Sequence, residues 1–151
     1  MYFLRSTPGY LFREILIEYD NQLQLGLENI LNVKFEETSW LQSTLPVSKG
    51  GLGIRLASDL ALPAFLSSAH GTISGSNSLL PENISTGIYQ NLEEAELLWR
   101  EIVPGVTMQP NNKSVQALVD TPLCDKKFSE LLEKEKLPVE KARMRAVTAE
   151  H

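Results

Sequence analysis

The chain has 151 residues, enough for one domain of ordinary size with a real core. Hydrophobic residues at 42% and charged residues at 22% exclude wholesale disorder, and a net charge of −5 excludes coating of nucleic acid by bulk attraction, though not a local basic patch. A single cysteine, Cys124, excludes an internal disulfide and a multi-cysteine zinc site, and no apolar run reaches the roughly 18 residues of a membrane span.

The chain is apolar from its start, with Tyr2, Phe3 and Leu4 unprotected by any polar lead-in, as if a preceding element were missing. Arg5 and Pro8 interrupt MYFLRSTPGYLF where a signal peptide would need an unbroken apolar core. Together with the cysteine count this makes an intracellular location, nuclear or cytoplasmic, the expectation. The sequons at Asn83 and Asn112 are then read as chance.

Thr7 followed by Pro8 reads as a helix opening, a capping oxygen and then a proline at the first helical position. Phe12, Ile15, Leu16, Tyr19, Leu23, Leu27, Ile30 and Leu31 then recur at spacings of three and four. The pattern predicts one amphipathic helix of about 25 residues, roughly 37 Å long, that buries this stripe. Gly26 within it costs about 1 kcal/mol relative to alanine. A short helix is predicted over Glu36 to Ser43, with Trp40 and Leu41 inward, ended by Pro46.

The stretch PVSKGGLGIR follows, with Gly50, Gly51 and Gly53 between Lys49 and Arg55. It is not a Walker loop, because its lysine precedes the glycines, and it lacks the strand and spacing of a dinucleotide fingerprint. A tight turn needing positive φ is the structural reading. The functional alternative is contact between its backbone amides and a phosphate, helped by Lys49 and Arg55.

Leu56 to Ala69 predicts a buried helix capped by Ser58 or Asp59, with Pro63 tolerable near the first turn or else kinking it. HGTISGSNSLLPENIS reads as a loop. Ile84, Ile88, Leu92, Ala95, Trp99 and Ile102 form a second stripe, with Glu93, Glu94 and Glu96 on the wet side and Pro104-Gly105 as the stop. A short helix is expected at Ser114 to Asp120, then two charged helices from Asp125 to Glu150 broken at Pro138. No strand pattern persists. The fold expected is all-α, an irregular multi-helix bundle with one long N-terminal amphipathic helix. Residues 1–75 and 76–151 are read as two helical regions packed as one domain.

No catalytic constellation emerges. His70, beside Ser67 and Ser68, lacks a nearby orienting acid and reads as a C-terminal helix cap. Asp20, Asp59, Asp120 and Asp125 are too scattered for a two-metal site. Lys126 and Lys127 beside Cys124 could activate its thiol, but an unremarkable cysteine is the plainer reading. Lys134, Lys141 and Arg145 could share a helical face, either as a phosphate-contacting patch or as part of a salt-bridged exposed helix. No metal or cofactor is expected.

One ordered series goes further. LRSTP, EYDNQLQLGLENILN, the Trp40-Leu41-Gln42-Ser43-Thr44-Leu45-Pro46-Val47 run, GGLGIR and LALPAFLSSAHG form a single block, with KARMRAVTAEH at the end. The block resembles the region downstream of the polymerase core in reverse transcriptases of retrotransposons, most closely the non-long-terminal-repeat class. The likeness covers Met1 to Gly71, thins in the middle and returns at Lys141 to His151. The family's Tyr-x-Asp-Asp turn does not match, because Tyr19-Asp20 is followed by Asn21-Gln22 inside a helix.

The resemblance implies a thumb-like region over 1–75 and a linker-like region over 76–151. It implies a remnant or fragment of an RNA-directed DNA polymerase that lacks polymerase activity alone. Lys49, Arg55 and Arg5 are the positions it implicates in contact with an RNA or DNA duplex backbone. A missing palm domain would be the other partner. The alternative from a different class is a helical protein–protein interaction module or self-associating structural protein, using apolar surface left exposed. No membrane partner is expected.

Overall fold

The structure is a computed structural model that describes residues 2–76, 88–105 and 115–149. Among these, all regular structure is helical, as the absence of any period-two pattern implies. The α-helices are α1 (Tyr2–Ser6), α2 (Arg13–Leu31), α3 (Glu37–Ser43), α4 (Ala57–Ser76), α5 (Ile88–Ile102), α6 (Val115–Lys134) and α7 (Pro138–Ala149). Short 3-10 turns occupy Gly9–Phe12 and Val47–Lys49. Two compact units divide the chain, which enters each of them twice. The first comprises Met1–Ile17 and Ala57–Pro122, the second Glu18–Leu56 and Leu123–His151.

The first unit is organised by α4. Leu60, Ala61, Leu62, Pro63, Ala64, Phe65 and Leu66 are consecutive buried residues, so this helix is covered on all sides. Pro63 lies within it and cannot donate to the Asp59 carbonyl, a defect of about 3 kcal/mol in a helix interior. Burial of large side chains at about 1.5–3 kcal/mol each offsets that defect. Leu4 of α1 joins Leu60, Ala61 and Ala64 in one cluster, with Leu16 and Ala57 against it. Tyr10 packs tilted against Phe65, 5.7 Å between ring centroids, and donates its hydroxyl to the Asn91 carbonyl at 2.7 Å. Burial first, and the charge of Glu94 second, raise the Tyr10 pKa. The stripe on α5 turns Leu92, Ala95 and Trp99 inward, with Glu93 and Glu94 exposed.

Several expectations shift here. Thr7 does not cap with its hydroxyl; its backbone carbonyl accepts the Gly9 N–H, and a separate helix, α1, precedes it. The long helix starts only at Arg13, after the 3-10 turn, and has 19 residues. α4 begins at Ala57, so Ser58 and Asp59 fall inside its first turn, where Asp59 complements the helix dipole. It continues through Gly71 to Ser76, which makes the first part of the expected loop helical. The rest of that loop, Ile84 and both sequons lie outside the described residues. The short helix expected to end at Asp120 is the start of α6, which runs through Pro122 to Lys134.

In the second unit α2 ends in a left-handed residue, Asn32 at φ 52°, and the Val33 N–H returns to the Glu28 carbonyl at 3.1 Å. That closes the helix with the six-to-one bond of a Schellman motif. α3 brings Trp40 against Phe35, ring centroids 5.6 Å apart. The core joins Leu45, after α3, to Leu131 of α6 and Met144 of α7, with Leu41, Phe128 and Leu132 packed around them. The tail divides into two helices at Pro138 as expected, and the proline is the first residue of α7, where a missing N–H costs nothing.

The predicted stripe of α2 is corrected most. Its buried residues are Asp20 and Glu28, at 6% and 7% exposure, while Ile15, Tyr19 and Ile30 stand 68%, 59% and 81% exposed. Leu16, Leu23 and Leu27 are half-buried. The inward side of the helix thus carries Leu16, Leu23 and Leu27 of the stripe together with Asp20, rather than the stripe as a whole.

Candidate site around the glycine turn

The turn from Pro46 to Arg55 lies in the second unit, between α3 and α4. Its backbone folds back onto the end of α3. Lys49 and Gly51 donate their N–H groups to the Pro46 carbonyl, and Gly50 donates to Val47. Leu52 and Ile54 both donate to Ser43, at 3.1 and 3.2 Å, and Gly53 donates to Leu45 at 2.9 Å. Gln42 closes the ring, its Nε2 donating to the Gly50 carbonyl at 3.1 Å. All amides from Lys49 to Ile54 are therefore spent within the chain, and a phosphate would find no open N–H among them.

The glycines serve two separate needs. Gly50 and Gly53 adopt left-handed backbone at φ 74° and 73°. Gly51 is required by space, since a Cβ there would collide with the Leu45 and Gln42 carbonyls. The tail covers the turn: Val147 of α7 has its Cγ1 3.6 Å from where a Gly50 Cβ would stand.

Lys49 points into this cover. Its ammonium pairs with the Asp125 carboxylate of α6 and sits 5.6 Å from the Phe128 ring centroid, one turn further on. The side chain is only 22% exposed. Arg55 is half-buried at the exit of the turn in the same unit, and Arg5 belongs to α1 in the first unit. A second cross-link, Lys134 to Glu37, ties α6 to the start of α3. Hydrogen bonding to Lys134 lowers the Glu37 pKa, and the same bond raises that of Lys134. Arg143 pairs with Glu140 at 2.9 Å. The basic residues at 49, 134 and 143 are thus engaged by the chain's own acids.

The other candidates have structural settings. His70 lies inside α4, not at its end, and its Nε2 is 3.1 Å from Glu96 Oε1 without the alignment of a hydrogen bond. Ser67 donates its hydroxyl to the Pro63 carbonyl at 2.7 Å and so is turned to its own helix. Cys124 is buried. Among the described residues, no three His, Cys, Asp or Glu side chains are placed to share a metal ion, and no helix is long and apolar enough to cross a membrane. Asp125 and Phe128, the groups that hold Lys49, had no local sequence signal, being more than 70 residues away (76 from Lys49 to Asp125).

No known protein family, curated protein or solved structure matches this chain.

Proposed function

We propose that this chain is a helical region of a retroelement reverse transcriptase, from the part that follows the palm, and that its role is to pack against another protein surface. The observation that carries the packing role is the exposed apolar run at the start of the first unit. Tyr2, Phe3, Leu11, Phe12 and Ile15 are all more than half exposed, while Leu4 and Leu16 between them reach the core. Large apolar side chains at that density in one short stretch mark a surface made to be covered. The resemblance supplies the partner, a polymerase core of the non-long-terminal-repeat class.

Contact with a duplex backbone through Lys49, Arg55 and Arg5 is the weaker part of this reading, because Lys49 is already neutralised by Asp125. Coexpression with such a core, lacking its own downstream region, tests the proposal. The chain is expected to co-purify with the core and to restore primer extension on an RNA template. A Phe12→Asp, Ile15→Asp variant should do neither. Extension by the chain alone, or co-purification indifferent to the double substitution, would overturn the reading.

A further inference from the structure

We draw no further inference here: the strongest candidate, the His70–Glu96 side-chain pair between α4 and α5 of the first unit, carries nothing because, among the described residues, no third His, Cys, Asp or Glu joins it to hold a metal ion and nothing in the structure shows what else it would bind.

Discussion

Glu28 reaches seven residues ahead to accept the backbone N–H of Phe35 at 3.0 Å, holding the chain where it leaves α2. The same carboxylate accepts Lys34 Nζ at 2.7 Å and Gln24 Nε2 at 3.4 Å. Three donors, one of them a cation, satisfy it, which explains how a carboxylate hidden from solvent stays ionised. The Lys34 bond, then the Phe35 N–H, lower its pKa. A lowered folded pKa means stability that is complete above the ordinary carboxylate value of 4.5 and is lost as pH falls through the folded value. Glu37 shifts in the same direction and adds to the slope. Urea unfolding from pH 7 downward should therefore show a midpoint that falls below about pH 4.5. Glu28→Gln should lower the midpoint at neutral pH and flatten that fall; an unchanged acid slope would count against the role given to Glu28.

The glycine turn separates two kinds of requirement, and substitution should tell them apart. Gly51→Ala drives a Cβ into the Leu45 and Gln42 carbonyls, and backbone atoms cannot swing aside as a side chain can. A loss of about 3 kcal/mol or more is expected. Gly50→Ala has ordinary contact with Val147 but a left-handed φ of 74°, so only the conformational cost applies, about 1–2 kcal/mol. Gly50→Asn should recover part of it, since asparagine tolerates this region. Equal losses at the two positions would show that the crowding at Gly51 is not real.

Gly26→Ala should act in the opposite direction. Its Cβ enters open space in the middle of α2, and the gain in helix propensity is about 0.5–1 kcal/mol. Denaturant titration at a concentration low enough to hold the chain monomeric isolates this term from any dimer. A destabilised alanine variant would mean that something packs on Gly26 within the monomer.

Helix α2 shows where sequence reading reached its limit. Spacing located the helix but not its rotation, because an amphipathic stripe records apolar surface without saying what covers it. Glu28 carried no signal of its own, and its partners Lys34 and Phe35 lie beyond the helix end, where helical periodicity carries no information. Pro46 and the glycines identified the turn correctly as a change of chain direction, since proline and glycine act locally. The grip on Lys49 was not legible at all. Asp125 and Phe128 share a face of α6, but helical periodicity does not say that this face meets a turn 76 residues earlier in the chain. The same tertiary override lengthened α4, whose buried stretch carried helix through His70 and Gly71.

The grip on Lys49 also decides how any duplex binding should behave. A phosphate competing for this ammonium has to displace the Asp125 carboxylate and draw the charge away from the Phe128 ring. Asp125→Asn removes the competing charge while keeping the shape, so it should tighten binding of an RNA–DNA hybrid. Freeing one cation for one phosphate should also steepen the dependence of log affinity on log salt by about 0.9. Adding Lys49→Ala to that variant should return both affinity and slope to the starting values, because the released charge is then gone. Binding measured by fluorescence anisotropy across a salt series reads both quantities at once. If Asp125→Asn tightens binding but Lys49→Ala does not reverse it, the gain is only the loss of a negative charge from the surface. If neither substitution moves the affinity, Lys49 belongs wholly to the interior of the second unit and has no claim on phosphate.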